Sequence, residues 1–198
     1  MAKVDLKTVQ KLRKETGLGM MDCKKALQET NSDYDKAIDL LRKKGAKVAA
    51  KRSGQETTEG LVHTYIHPGN RVGVMLELNC ETDFVARTDN MKQFAQDICL
   101  HIAALKPFYL APEDIDENFL KHERNLFKEQ LLESGKPEKI IDQIVEGKVK
   151  KLESEVCLLK QSFVKNDQMT VEQALEELIG KTGESIKIKK FARFEIGA

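Results

Sequence analysis

The chain has 198 residues, 40% of them apolar and 33% charged, a composition that fits an ordinary globular protein of one or two domains and excludes a disordered or fibrous one. Its 33 basic and 32 acidic residues nearly cancel, so the one-sided charge of a phosphate-binding protein is lacking and no direct nucleic-acid partner is expected. No apolar run approaches the roughly 18–20 residues that cross a bilayer, and the opening Met-Ala-Lys-Val-Asp-Leu-Lys holds no apolar signal core, so a cytoplasmic protein without membrane contact is expected.

Residues 1–45 read as three short helices. The first carries Leu6, Val9 and Leu12 on one face and stops at Thr16-Gly17-Leu18-Gly19, where two glycines make a sharp turn. The second carries Met21, Cys23, Ala26 and Leu27. The third starts near Ser32 or Asp33, carries Tyr34, Ala37, Ile38 and Leu41, and is predicted to end with Gly45 as its C′ residue. The polar stretch 46–58, broken at Ser53-Gly54, reads as a linker, which divides the chain into a helical domain with linker at 1–53 and a core domain at 54–198.

From Glu59 the period changes to two. Val62, Thr64 and Ile66 oppose Leu61, His63, Tyr65 and His67; a Pro68-Gly69-Asn70 turn follows; then Val72, Val74, Leu76, Leu78 and Cys80 alternate with Arg71, Gly73, Met75, Glu77 and Asn79. This is a β-hairpin. Thr82-Asp83-Phe84-Val85 then form a strand-to-helix loop, in which Phe84 is either tucked under the turn or displayed from it. Burial of large apolar residues is the general rule and, for this segment taken alone, favours the tucked position, but the rest of the chain reverses that preference. Thr88 or Asp89 starts a helix whose apolar face is Met91, Phe94, Ala95, Ile98, Ile102 and Leu105.

Pro107 and Pro112 break the chain, and Phe119, Leu120, Leu126, Phe127, Leu131 and Leu132 mark a helix ending at Ser134-Gly135. After Pro137, Ile141, Ile144, Val145, Val149, Leu152, Val156, Leu159 and Phe163 recur at three and four, predicting one long return helix and a helical hairpin at about 116–165. Thr170-Val-Glu-Gln173 has the pattern of a capping box and opens a short helix with Val171, Ala174, Leu175 and Leu178, closed by Gly180 or Gly183. A third strand at 185–196 places Ile186, Ile188, Ala192, Phe194 and Ile196 on one face, with Lys190 interrupting the row as a bulge, rim or edge residue. The expected fold is therefore α+β, with three helices ahead of a three-stranded antiparallel sheet, packed helices and a helical hairpin.

Catalytic constellations are sparse. His63 and His67 share a strand face but stand about 13 Å apart, too far to bind one metal. Cys23, Cys80, Cys99 and Cys157 form no Cys-x-x-Cys pair, so neither a zinc site nor a disulfide framework is indicated, and reduced, mostly buried thiols are expected. Gly17-Leu-Gly19 follows a helix rather than a strand, so it is not a nucleotide loop. No cofactor, metal or enzyme chemistry is expected, and the pattern is that of an interaction protein.

Lys11-Leu-Arg-Lys-Glu-Thr-Gly-Leu-Gly-Met-Met-Asp-Cys-Lys-Lys-Ala-Leu27 resembles the opening signature of the elongation factor Ts family. Glu77-Leu-Asn-Cys-Glu-Thr-Asp-Phe-Val-Ala-Arg87 is similar to its second signature, and Phe191-Ala-Arg-Phe-Glu-Ile196 to its C-terminal strand. The resemblance implies a UBA-like N-terminal module and a guanine-nucleotide exchange factor for elongation factor Tu. It implies that Thr82, Asp83, Phe84 and Val85 disturb the magnesium and phosphate side of that partner's nucleotide site, and that Arg13, Met20, Met21 and Lys24 dock on its GTPase domain. Two adjacent methionines on a helix cannot both point inward, so at least one is free for contact. Because the chain resembles the family's short form, whose sheet has uncovered edges, a homodimer joined through the C-terminal strands and adjacent helices is expected. Two other readings remain. A stand-alone ubiquitin-associated-type recognition module explains residues 1–45 but not Thr82–Val85, and a thiol enzyme would use Cys80 or Cys23.

Overall fold

A computed structural model describes residues 4–197. In chain order the elements are α1 (Leu6–Thr16), α2 (Met20–Glu29), α3 (Tyr34–Arg52), β1 (Glu59–Ile66), β2 (Val72–Cys80), α4 (Asp83–Ala86), α5 (Asp89–Leu105), α6 (Glu117–Glu133), α7 (Glu138–Val156), β3 (Ser162–Phe163), β4 (Asn166–Thr170), α8 (Val171–Thr182) and β5 (Ile186–Glu195). The fold is α+β as expected, with an antiparallel sheet ordered β1-β2-β5 and a small β3-β4 pair. Described residues 4–63, 76–96 and 173–189 form one compact unit, and 64–75, 97–172 and 190–197 form a second.

In the first unit, Val9, Leu12, Cys23, Ala26, Leu27, Ala37 and Leu41 make one buried cluster between α1, α2 and α3. Leu6, predicted on that face, is exposed instead, because it lies in the first turn of α1, ahead of the packed stretch. Gly17 ends α1 with φ 69°, and its N–H donates to Arg13 O at 2.8 Å, the left-handed cap that glycine adopts without strain. Asp33 caps α3 by accepting from Lys36 N.

The predicted stop at Gly45 is wrong: α3 continues to Arg52. A Cβ on Gly180 would stand 2.9 Å from Gly45 Cα, so the two glycines let α3 and α8 approach backbone to backbone. Arg42 Nε donates to Glu177 Oε1 at 3.1 Å beside this crossing. The partner glycine lies far along the chain, out of reach of a local stop signal.

Along β2, Val74, Leu76, Leu78 and Cys80 are buried as the alternation predicts. On β5, Ile186 and Ile188 are buried, but beyond Lys189-Lys190, both exposed, the inward positions shift to Phe191, Arg193 and Glu195. A one-residue slip of this kind is what a bulge does, and it turns Phe194 and Ile196 outward. In the second unit these two join Ile66 and Met75 in lining a shallow apolar cleft on the open face of the sheet.

In that unit α6 and α7 close a small core of Leu131, Ile141, Val145 and Val149, with Leu120, Phe127 and Ile144 packed on it. The return helix is shorter than predicted. It ends at Val156, where the Phe108 and Tyr109 N–H groups both donate to Val156 O and Leu158 N donates to Tyr109 O. These bonds set a single bridge at Cys157 and are followed by a 3-10 turn at Leu158–Lys160, so the α-helix is not resumed and Phe163 falls on β3 although its spacing is helical.

Candidate functional site

The segment after β2 is a single helical turn rather than a loop. Thr82 caps it, its Oγ accepting from Val85 N at 3.4 Å. Phe84 is 81% exposed, while Val85 and Ala86 are buried, so the aromatic is displayed and its neighbours anchor the turn. The tucked position favoured by general burial therefore does not occur. Asp83 pairs with Arg87 at 2.9 Å across one turn, with Arg87 largely in solvent and Asp83 partly so.

What holds this turn comes from far along the chain. Thr82 N–H donates to Glu184 Oε2 at 3.1 Å and Thr82 Oγ–H to Glu184 Oε1 at 2.7 Å. In the opposite direction, Ser185 N–H donates to Glu81 Oε1 at 2.6 Å. Arg52, the last residue of α3, donates to Glu81 Oε2 at 3.1 Å. The buried Cys80 thiol donates to Thr82 O at 3.1 Å. Arg87 closes the second signature but was given no role, and Arg52 and Glu184 carry no periodic or motif signal of their own.

Arg13 lies in the last turn of α1 and is exposed. Of the two methionines opening α2, Met20 packs partly against the three-helix core and Met21 is 61% exposed. Lys24, three residues on, is exposed on the same flank as Met21. All eight residues singled out from the sequence, Arg13, Met20, Met21, Lys24 and Thr82–Val85, lie in the first compact unit.

The other reactive groups are occupied or blocked. His63 Nε2 is 2.8 Å from Gln96 Oε1, and His67 Nδ1 is 3.0 Å from Tyr65 OH. All four cysteines are buried and none is in a disulfide. Burial pushes the Cys99 thiol up to about 12 and Cys157 up to about 11, and burial followed by the Glu184 charge raises Cys80, so these three stay protonated and poorly nucleophilic. Among the described residues no cluster of three His, Cys, Asp or Glu could hold a metal, and no helix is long and apolar enough to cross a membrane.

Comparison with known proteins is unambiguous. A family model described as elongation factor TS matches residues 6–198. The chain is 55% identical to elongation factor Ts of Desulfitobacterium hafniense, covering 100% of this chain and 91% of that protein. It is 51% identical to elongation factor Ts of Desulfosudis oleivorans over 100% of both chains. Identity to elongation factor Ts of Syntrophus aciditrophicus is 52%, over 96% of this chain and 94% of that one.

Proposed function

This chain belongs to the elongation factor Ts family, and on that premise we propose that it is a guanine-nucleotide exchange factor that releases GDP from elongation factor Tu by dislodging the magnesium ion. Binding free energies are reciprocal: a factor that holds the empty GTPase more tightly than the loaded one weakens nucleotide binding by the same ratio. Its contacts must therefore compete with nucleotide and magnesium. A thousandfold faster release needs about 4 kcal/mol off the barrier, within reach of one aromatic hot spot and a few broken magnesium-side contacts. No covalent chemistry is required of the factor.

The observation that carries this reading is the display of Phe84 on a turn whose next two residues are buried. A ring held out in water gains its burial energy only on entering a partner, so that energy is reserved for the complex. The Asp83–Arg87 bridge is an exposed i,i+4 pair worth only about 0.3–0.5 kcal/mol, so the carboxylate is free to turn toward groups around the partner's magnesium. Arg13, Met21 and Lys24 offer charge and a pliable apolar surface for docking on the GTPase domain, with Met20 at the margin of the module's core.

A cytoplasmic homodimer completes the proposal. The open sheet face lined by Ile66, Met75, Phe194 and Ile196 is an apolar surface that a second copy of the same face would cover. Light scattering that returns a monomer at micromolar concentration would remove the dimer. The exchange reading is tested by release of labelled GDP from elongation factor Tu: the protein should accelerate it strongly in millimolar magnesium and much less in excess EDTA. No acceleration in magnesium rejects the reading.

A further inference from the structure

We propose that Glu184 is a positioning residue of the exchange reaction, clamping the Phe84-bearing turn, together with Glu81 and Arg52, to the helices that dock. The inference rests on the wedge reading above and adds what aims the wedge.

Helix α4 has only four residues, far below the roughly 12–15 at which an isolated helix becomes even marginal, so its direction is set by whatever grips its start. That grip is Glu184. One of its oxygens takes the Thr82 N–H and the other takes the Thr82 hydroxyl proton. With its proton committed, the hydroxyl turns a lone pair to Val85 N, which is the cap of the helix. Glu184 therefore fixes the rotor that fixes the turn. Without it, the Thr82 hydroxyl is free to rotate and the Thr82 N–H loses its acceptor.

The grip is reciprocal. Glu81 reaches back to the Ser185 N–H, so neighbouring residues on each side exchange side-chain-to-backbone bonds across more than 100 positions of sequence. Bonds to ionised carboxylates are about twice as strong as neutral ones, which suits a four-residue turn whose apolar anchor is Val85 and Ala86 alone.

Two routes tie this clamp to the docking module. Arg52 at the end of α3 holds the second oxygen of Glu81. Helix α8, which leads directly into Glu184, lies against α3 at the Gly45–Gly180 crossing, with the Arg42–Glu177 pair beside it. A wedge on such a mount enters the partner at the place that docking dictates. Displacements of about 1 Å can cost about 100-fold in rate where geometry controls a reaction.

The test uses the full-length protein with GDP-loaded elongation factor Tu. Glu184→Ala should lower the maximal rate of GDP release about tenfold while the factor concentration for half-maximal rate shifts less than twofold. Glu184→Gln, which keeps one acceptor oxygen, should recover much of the loss. In a Phe84→Ala background, Glu184→Ala should cost less than twofold more, because both act through the ring. A wild-type maximal rate in Glu184→Ala, with wild-type active and Phe84→Ala impaired, overturns the clamp and leaves the wedge standing. Full additivity of the two substitutions also overturns it, whereas inactive wild-type protein would reject the exchange reading itself.

Discussion

Phe84 and Phe163 each follow the end of a regular element and are each fixed by a side chain from far along the chain, yet one is held out in solvent and the other is buried. Phe84 rides on a turn whose anchor, Glu184, is a carboxylate that takes two donors. Phe163 lies near-parallel to the buried His101 ring, with centroids 6.2 Å apart. Val164 N–H donates to His101 Nδ1 at 3.2 Å, which leaves the proton on Nε2 for Gln161 Oε1 at 2.8 Å. Gln161 in turn donates from Nε2 to Glu155 O at 2.7 Å. The aromatic's own hydrophobicity does not decide its fate; the anchor decides whether the turn presents the ring or closes over it.

The largest effect should come from the buried member. Phe163→Ala should cost about 3–5 kcal/mol of stability, because the vacated space has a rigid histidine on one side. Urea denaturation measures it, and a loss below about 1 kcal/mol would mean that Phe163 is no more core than Phe84. Exchange activity of the protein that remains folded should be normal.

Acid should separate the two anchors next. Burial holds the His101 pKa below its ordinary value of 6.5, outweighing the Gln161 bond that favours the charged ring. The unfolded chain then binds the proton more readily. Stability supplied by neutral His101 is fully present above about 6.5 and is lost as pH falls from there toward the folded value, at up to about 1.4 kcal/mol per pH unit. His101→Gln should be less stable than wild type at pH 8, with a shallower decline between pH 7 and 5. Parallel pH profiles for the two proteins would contradict this account.

A smaller effect belongs to Asp83. Asp83→Ala should leave the melting temperature within about 1 °C, since the Arg87 bridge is exposed. It should slow GDP release severalfold in magnesium and less in EDTA, where the partner's metal is already leaving. Equal losses in both media would separate Asp83 from the metal.

The regular elements were legible because they are local. The period-two hairpin with its Pro68-Gly69-Asn70 turn, the glycine turn after α1 and the Asp33 cap all act within a few residues. Lys190 marked an irregularity in β5, but not its consequence: Ala192, Phe194 and Ile196, expected on the face of Ile186 and Ile188, turn outward beyond it. Two of the errors share a physical cause, which is competition from distant partners. Gly45 reads as a helix stop but serves a crossing with Gly180, and Phe163 keeps helical spacing although Tyr109 and Leu110 draw the chain out of helix after Val156. Within the site, Thr82–Val85 and the pair of methionines were visible as residues. The exposure of one methionine followed from helix geometry, and the display of Phe84 from the resemblance; the mount of the turn was not legible, because Glu184 and Arg52, which support it, look like any other surface charges in the sequence.

The most direct test of the central claim is a paired measurement on Phe84→Ala: thermal melting, and acceleration of GDP release from elongation factor Tu at subsaturating factor. An exposed ring that acts as an interface hot spot is worth about 2 kcal/mol or more to the complex and almost nothing to the fold. The account predicts an unchanged melting temperature with release slowed about 30-fold or more. A variant that melts early yet exchanges at the wild-type rate would contradict it.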